Sequence, residues 1–302
     1  MAFLHKPDIY IDDSLRVDGL RLSESEGGLD GLWYKLNQAP NLLDFWLMNI
    51  LITGAGSGIG EGIATGLAEQ GHRLFVTDYR LDAAQAVADA INQAGGQALA
   101  MALDVTDSQA IENIPQWVEA QGHGPIDVLI NNAGLQHVAP LEDFDMDHWS
   151  HLVDVMLNGV ARLTRALLPS MREKDFGRII NIGSIHSLVA SPYKSAYVAA
   201  KHGLMGFSKV MALETASSDI TINTVCPTYV RTPLVDQQIA AQAKAHGLSE
   251  DEVVETIMLK PMPKKVFITF EELTGICAFL LSPAARNITG QAIVVDGGWT
   301  VT

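Results

Sequence analysis

Residues 49–71, NILITGAGSGIGEGIATGLAEQG, decide the fold of this chain. An apolar run comes first, a glycine-rich turn follows, and a small-residue helical pattern then ends at Gly71. Glycines let a backbone approach a pyrophosphate closely, and the helix N-terminus offers that group free N–H donors, so this order predicts a dinucleotide site. The strict GxGxxG spacing is absent, and the turn by itself is also compatible with a plain loop.

The second predicted strand indicates which dinucleotide binds. RLFVTD at residues 73–78 ends in Asp78, whose carboxylate can accept hydrogen bonds from the adenosine ribose hydroxyls. The same charge repels a 2′-phosphate, so the sequence favours NAD over NADP. Nearby Arg80 keeps NADP open, and a solvent-facing Asp78 without a cofactor role is the plain alternative.

The alternation of strand and helix patterns continues along the chain. It predicts an α/β fold with a Rossmann-type doubly wound parallel sheet, in a single domain over residues 48–302. The other strands are expected at residues 97–105, 126–130, 178–183, 219–227 and 291–298. Helices are expected at residues 107–121, 146–174, from Ser195 onward, and 270–282.

Cofactor contacts are expected where the parallel strands end, because the carboxyl ends of such strands border the binding crevice. The expected cofactor-binding residues are Gly54, Ser57, Gly58, Ile59, Gly60, Asp78, Asp104, Val105, Asn131, Gly134, Tyr197, Lys201 and Val230.

The stretch from Ser184 to Lys201, SIHSLVASPYKSAYVAAK, carries the candidate catalytic residues. Tyr197 and Lys201 stand one helical turn apart, and Ser184 follows a buried strand. Lowering the tyrosine pKa by about 3 units would take about 4 kcal/mol, which Lys201 and a positively charged nicotinamide ring could share. Ser184 can hydrogen-bond the same substrate oxygen, so the set predicts proton transfer at an alcohol or ketone. Asn158 is a further candidate, because asparagine is a poor helix-interior residue.

Two segments do not follow the regular alternation of strands and helices. Residues 1–47 have turn-rich pieces and no signal-peptide or transit-peptide pattern, so we expect an N-terminal extension of unknown role, either docked or mobile. Residues 232–267 are predicted to form two helices, and a capping box from Ser249 to Glu252 marks the start of the second. We expect a lid over the substrate there, with an oligomer contact as the alternative.

Charge and composition argue against several classes of partner. The formal net charge of −15 disfavours nucleic acid and anionic membranes. Cys226 and Cys277 lack disulfide or metal spacing, and no apolar run is long enough to span a bilayer, so a cytoplasmic location is expected. His148 and His151 share a helix face without an acidic partner at ligand spacing, so no metal site is expected.

Taken together, the motifs resemble the short-chain dehydrogenase/reductase family from about residue 48 to 302. The resemblance rests on TGAGSGIG at 53–60, NNAG at 131–134, Asn158, Ser184 and YVAAK at 197–201, in that order. It implies an oxidoreductase with a nicotinamide cofactor.

The resemblance also implies roles for the catalytic residues. Tyr197 would be the general acid/base, Ser184 would hold the substrate oxygen, and Lys201 would lower the tyrosine pKa and bind the nicotinamide ribose. Asn158 would anchor a water that relays the proton. A homotetramer formed through the helices that contain Asn158 and Tyr197 is implied as well.

Other segments are similar to the bacterial D-3-hydroxybutyrate dehydrogenases, a group within that family. These segments are LQHVAPLEDF after NNAG, HSLVASPYKSAYVAAKHG, TPLVDQQI and VDGGW. The similarity implies NAD-dependent interconversion of (R)-3-hydroxybutyrate and acetoacetate, a small hydroxy acid and keto acid. It implies that Gln136, His186, Lys194 and Gln238 hold the substrate carboxylate, and a cation with amide donors suits a small acid.

Four positions depart from that group. Thr228 and Tyr229 stand where it usually has Gly and Trp, Ile185 replaces a smaller residue, and Arg231 adds a charge near the lid. These changes leave the accepted acyl chain open. The alternatives are a 3-oxoacyl thioester reductase, another short-chain alcohol dehydrogenase, and a non-catalytic NAD-binding sensor or scaffold.

Overall fold

The computed structural model describes residues 16–17, 20–21 and 47–301. The chain divides into a unit of residues 1–47 and a unit of residues 48–302. In the first, Arg16–Val17 and Leu20–Arg21 pair as short antiparallel strands. Whether the extension is docked or mobile lies outside the described residues.

Seven parallel strands form the sheet of the second unit, which confirms the predicted fold class. Their spatial order is β3-β2-β1-β4-β5-β6-β7, so the chain reverses direction across the sheet between β1 and β4. A crevice for a ligand forms at such a switch point. The strands are β1 Asn49–Thr53, β2 Arg73–Asp78, β3 Gln97–Ala102, β4 Val128–Asn131, β5 Phe176–Ile182, β6 Asp219–Pro227 and β7 Ala292–Val295.

Helices follow most of the strands. They are α1 Gly58–Glu69, α2 Leu81–Gln93, α3 Ser108–Glu112, α4 Ile114–Ala120, α5 Met146–Val153, α6 Gly159–Lys174, α7 Ser195–Glu214, α8 Pro233–His246, α9 Glu250–Val253 and α10 Phe270–Leu281. Single 3₁₀ turns occur at Leu141–Asp143, Ile185–Ser187, Pro283–Ala285 and Trp299–Val301.

Both faces of the sheet are covered by apolar side chains. Ile50 and Ile52 of β1 pack in the core beside α1, α2 and α10, whereas Leu51 packs in the core on the opposite face, beside α6 and α7. All three are fully buried. Because successive side chains of a strand point to opposite faces, a strand covered on both faces is a continuous apolar run. That is why NILIT could be recognised as a strand.

One predicted helix is two helices in the structure. The expected helix at residues 107–121 is interrupted at Asn113, between α3 and α4. Pro115 stands in the first turn of α4. Proline has no amide hydrogen and its ring clashes with the preceding turn, so it starts a helix more readily than it continues one.

A second predicted helix, residues 146–174, contains one wide turn. The segment Asp154–Asn158 forms a π-helical turn between α5 and α6. Such turns are rare and occur often at functional sites. It ends at Asn158, the residue that helix propensity had singled out.

The segment predicted as a lid contains the two expected helices, α8 and α9. Ser249 and Glu252 form the expected capping box, each side chain accepting from the other's backbone N–H. α8 ends at Gly247, whose φ of +66° is the left-handed conformation of a helix C-terminus. A small apolar cluster of Val235, Ile239, Val253 and Met258 holds the two helices together.

Candidate active site

A cavity of about 660 Å³ opens at the carboxyl ends of the strands. Residues from the glycine turn, from the stretch that begins at Ser184 and from the start of the lid line it together. Of the expected cofactor-binding residues, eleven border this cavity: Gly54, Ser57, Gly58, Ile59, Asp78, Asp104, Val105, Gly134, Tyr197, Lys201 and Val230. Gly60 and Asn131 do not.

The glycine turn is shaped to receive an anion. Gly58 begins α1 with a φ of +62°, a conformation that residues with a side chain rarely adopt. Ser57 is the N-cap of α1, and its side chain makes no capping hydrogen bond. The N–H groups of the first turn are therefore left for a ligand, as a pyrophosphate requires. The turn fits the phosphates of a dinucleotide.

Gly60 serves packing and does not border the cavity. A Cβ at this position would lie 2.5 Å from both the Asn132 side-chain nitrogen and the Gly54 carbonyl oxygen. Asn132 Nδ2 donates to the carbonyl oxygens of Thr53 and Gly54, which fixes the turn against β4. The absence of a side chain at Gly60 lets the helix sit close to this bridge.

Asn131 is also placed differently from the expectation. Its side chain is buried and donates to Oδ1 of Asn181, the paired residue on the neighbouring strand β5, at 2.8 Å. Asn181 in turn donates to Ser208 Oγ at 2.9 Å. The next residue, Asn132, borders the cavity instead. Successive side chains of a strand point to opposite faces, so an error of one residue places a side chain on the wrong face.

Asp78 lies at the end of β2 and is only 8% exposed. Its Oδ2 accepts from the Gly56 N–H at 3.2 Å and its Oδ1 from the Arg80 N–H at 3.1 Å. These bonds hold the carboxylate at the cavity wall. The Arg80 side chain turns away to pair with Asp82 at 3.0 Å.

Ser184 is placed by a local hydrogen-bonded turn. It follows β5, and its Oγ accepts from the His186 N–H while Ser187 Oγ accepts from the Ser184 N–H, both at 3.2 Å. The Ser184 hydroxyl also hydrogen-bonds the phenol of Tyr197. The two candidate catalytic hydroxyls are therefore together, as the sequence predicted, and can meet one substrate oxygen.

Lys201 hydrogen-bonds a backbone carbonyl oxygen in the protein alone, and its expected contact with the nicotinamide ribose stays a prediction. Lys201 is 5% exposed, and its Nζ donates to the Ile182 carbonyl oxygen at 2.6 Å and lies 5.7 Å from the centre of the Tyr197 ring. Burial lowers the pKa of Lys201 to about 8. Burial also raises the pKa of Tyr197, an effect that the hydrogen bond with Ser184 opposes. In the protein alone the expected lowering of the tyrosine pKa is not found, because desolvation of the phenolate dominates.

The side chain of Asn158 does not border the cavity. It is exposed, and its Nδ2 donates to Asp154 Oδ1 at 2.9 Å, one turn earlier. Asp154 also pairs with Arg162 at 2.8 Å. The role of Asn158 in a proton relay stays a prediction.

The four side chains expected at the substrate carboxylate all border the cavity. They are Gln136, His186, Lys194 and Gln238, from four separate segments of the chain. Burial lowers the pKa of Lys194. Its cation beside two amides can bind a small carboxylate.

His186 is neutral in this environment. Burial, and then the nearby Lys194 cation, lower its pKa to about 4. Its Nδ1 lies 3.3 Å from the Val189 carbonyl oxygen. A carbonyl oxygen accepts only, so the favoured tautomer carries the proton on Nδ1 and leaves Nε2 as an acceptor.

Three of the four residues that depart from the resembled group border the cavity, and the fourth does not. Thr228, Tyr229 and Ile185 border the cavity. Arg231 does not, since it pairs with Asp236 at 3.0 Å and lies over the Phe267 ring.

Trp299 and His151 are among the cavity residues that the sequence reasoning did not assign to the site. Trp299 forms part of an aromatic arc, with its ring 6.1 Å from Tyr229 and 6.4 Å from His186. The GGW sequence at the chain end was the available signal. His151, an exposed residue of α5, also borders the cavity.

Other expectations concern metals, thiols and membranes. Within the described residues, no group of three or more histidine, cysteine or acidic side chains could hold a metal ion. Cys226 and Cys277 are both buried free thiols. None of the helices in the described part of the chain is long and apolar enough to cross a bilayer.

Comparison with known proteins agrees with this geometry. The short chain dehydrogenase family profile matches residues 48–243. The D-beta-hydroxybutyrate dehydrogenase of Rhizobium meliloti is 43% identical over 83% of this chain and 97% of its own, and that of Cupriavidus necator is 44% identical over 82% and 96%.

A solved structure from Beutenbergia cavernae, described as a candidate NAD(P)-dependent gluconate 5-dehydrogenase with NADP bound at low occupancy, superposes with a TM-score of 0.75. It is 31% identical and covers 84% of this chain and 97% of its own. The glycine turn, the serine, tyrosine and lysine at one cavity, and these similarities together show that the chain belongs to the short-chain dehydrogenase family of oxidoreductases.

Proposed function

We propose that this protein is an NAD-dependent dehydrogenase that interconverts (R)-3-hydroxybutyrate and acetoacetate. The observation that carries the proposal is the meeting of Lys194, Gln136 and Gln238 with the Ser184 and Tyr197 hydroxyls in one cavity. A short 3-hydroxy acid has its carboxylate two bonds from the reacting carbon, so such a cavity can hold both groups at once. The two similar D-beta-hydroxybutyrate dehydrogenases support the same substrate.

The hydroxyl pair performs the proton transfer. Ser184 holds the oxygen on substrate carbon 3, and Tyr197 takes the proton from it during oxidation and returns it during reduction. Bound NAD supplies the hydride acceptor, its nicotinamide ring. In the reducing direction the raised pKa of Tyr197 keeps the phenol protonated and ready to donate.

Oxidation needs the opposite condition, a tyrosine that gives up its proton. The cation of Lys201 is 5.7 Å from the Tyr197 ring and is tied to the Ile182 carbonyl oxygen, so it acts weakly on the phenol. The positive charge of an oxidised nicotinamide ring, once NAD is bound, would add to the stabilisation of the phenolate. The tyrosine pKa should therefore fall when NAD binds.

The carboxylate is held by charge and by amide donors. Lys194 keeps its ammonium partly desolvated at the cavity wall, which strengthens its attraction for an anion. Gln136 and Gln238 can each donate an N–H to the same carboxylate. A thioester substrate carries no such charge, which disfavours the 3-oxoacyl reductase alternative.

The NAD preference rests on Asp78. Its carboxylate is fixed at the cavity wall by two main-chain N–H groups, where it can accept from ribose hydroxyls and repels a 2′-phosphate. The cation of Arg80 is paired with Asp82. Replacing Asp78 by Ser should raise the ratio of kcat/KM with NADP to that with NAD at least about tenfold, since the repulsion is removed.

The test of the proposal is the rate of NADH formation from (R)-3-hydroxybutyrate and from its S enantiomer. We expect turnover of the R form with NAD, and a rise in KM of at least about tenfold in Lys194→Ala, since a charge-assisted hydrogen bond is lost. The matched control is Lys244→Ala, an exposed lysine of α8, which should leave KM unchanged. Oxidation of other alcohols with no activity on either enantiomer would show that the substrate assignment is wrong.

A homotetramer formed through α6 and α7 remains part of the proposal. Light scattering of the purified protein would measure the mass in solution, and a monomer at micromolar concentration would contradict it.

A further inference from the structure

Two buried polar side chains, Ser187 and Cys226, contact the catalytic turn without bordering the cavity. Ser187 ends the 3₁₀ turn that follows Ser184, and Cys226 lies near the end of β6. The proposed reaction uses neither group directly. Their contacts nevertheless lead to the residues that carry it.

The two side chains converge beside Gly183. A Cβ at Gly183 would lie 2.7 Å from Ser187 Oγ and 3.2 Å from Cys226 Sγ. The Gly183 N–H donates to the Val225 carbonyl oxygen at 2.7 Å, so the ends of β5 and β6 are held together at this point. Burial raises the pKa of the Cys226 thiol, and hydrogen bonds to the sulfur from the Ser187 hydroxyl and the Ser184 N–H oppose that rise.

The thiol sets the direction of these hydrogen bonds. Cys226 Sγ donates to the Thr224 carbonyl oxygen at 3.7 Å, because a carbonyl oxygen only accepts. The lone pairs of the sulfur are therefore left to accept from the Ser187 hydroxyl. Ser187 Oγ itself accepts from the Ser184 N–H at 3.2 Å. With its own hydrogen on the sulfur, Ser187 Oγ presents a lone pair to that N–H.

This chain of hydrogen bonds ends at the reacting group. Burial raises the pKa of Tyr197, and the hydrogen bond with the Ser184 hydroxyl opposes that rise. A small displacement of the Ser184 backbone would weaken the bond to the phenol, because hydrogen bonds weaken steeply away from their preferred geometry.

We propose that Cys226 is a positioning residue for the reaction: its sulfur fixes the hydroxyl of Ser187, which in turn holds Ser184 against Tyr197. This inference rests on the proposed proton transfer by Tyr197, and it does not depend on which alcohol is the substrate. The thiol is chemically unchanged by the reaction.

The test measures kcat for alcohol oxidation with NAD as a function of pH. Oxidation requires the phenolate of Tyr197, so kcat should rise with pH as this group loses its proton. In Cys226→Ala the rising limb should move about one unit to higher pH, since a hydrogen bond that stabilises the phenolate is weakened. Below the limb this shift lowers kcat about tenfold. KM should stay unchanged, because the carboxylate contacts are not altered.

The second cysteine provides a matched control. Cys277→Ala removes an equally buried thiol, from α10, that does not border the cavity. It should leave the limb in place. Cys226→Ser keeps a side chain that accepts hydrogen bonds and should restore the wild-type limb. An unshifted limb in Cys226→Ala, the same shift in Cys277→Ala, or no restoration by serine would overturn the inference.

Ser187→Ala tests the same contact from its other partner. It should move the limb as far as Cys226→Ala does, and the double variant should move it no further, since both changes break one chain of hydrogen bonds. Additive shifts would refute the coupling. This variant keeps the thiol, so it gives a decisive result even if Cys226→Ala folds poorly.

The outcomes separate this inference from the proposed function. An unshifted limb with (R)-3-hydroxybutyrate as the substrate would overturn the inference alone. Oxidation of a different alcohol only would contradict the proposed substrate, and the same pH profiles measured with that alcohol would still decide the role of Cys226. A wild-type protein that oxidises no alcohol would overturn both.

Discussion

His186 should make the folded protein less stable as the pH falls from neutral to about 4. Burial lowers the pKa of this side chain from 6.5 to about 4. Between these values the unfolded chain binds a proton at His186 that the folded chain does not, so acid favours unfolding. The group is 5% exposed, so solvent screens this effect little.

The magnitude follows from the shift in pKa. The difference between 6.5 and about 4 is about 2.5 units, and each unit corresponds to about 1.4 kcal/mol. The contribution to the free energy of unfolding should therefore fall by about 3 kcal/mol across the interval, and should be constant above pH 6.5. The Lys194 cation is the second cause of the shift, so part of the loss should depend on that residue.

The assay is urea unfolding of wild type and His186→Gln at one protein concentration, at several pH values from about 4.5 to 7.5. The difference between the two free energies of unfolding should change with pH by most of the 3 kcal/mol, because other titrating groups cancel. Lys194→Gln should show a smaller dependence that begins at the same pH and levels off at a higher pH, because only the folded-state pKa of His186 changes. A difference that is independent of pH, or titration of His186 near 6.5 by NMR, would refute the reasoning.

Two further predictions concern the backbone. Gly60→Ala should destabilise the fold by about 1–3 kcal/mol and weaken NAD binding, because the new methyl group would lie 2.5 Å from a backbone oxygen. The control is Gly206→Ala, because nothing lies within 4 Å of a methyl group at that position. Equal unfolding midpoints for the two variants would contradict this prediction. Tyr193 has a φ of +65° immediately before Lys194. Tyr193→Val should raise KM for the hydroxy acid more than it lowers kcat. Tyr193→Gly should behave like wild type, because glycine adopts this backbone conformation freely. The same KM in both variants would show that the backbone conformation at this position does not place the lysine.

Local sequence patterns predicted most of the elements. β2 and β6 have the expected bounds, because both are buried on two faces and consist mostly of apolar or β-branched residues. The capping box at Ser249 was equally clear, since it depends on two side chains three residues apart. Element ends were less certain, as in β3, which stops at Ala102 and not at Val105.

The misplaced predictions share a cause. Asn131 and Asn132 are neighbours in sequence, but Asn131 hydrogen-bonds a side chain of the adjacent strand, whereas Asn132 borders the cavity. Gly60 belongs to the expected motif and yet serves helix packing. Strands and helices that are distant in sequence determine what surrounds each side chain. The residue type alone therefore did not predict the role of Asn131 or Gly60.

The sequence by itself determined the α/β fold, the cavity at the strand ends and the serine, tyrosine and lysine set, because these depend on periodicity and short spacings. The tertiary structure alone decided the charge states and the hydrogen-bond partners. It placed Lys201 against the Ile182 carbonyl oxygen, made His186 neutral and left Thr228 Oγ1 unpaired. These properties arise from desolvation and from contacts between distant segments, and both exist only after the chain has folded.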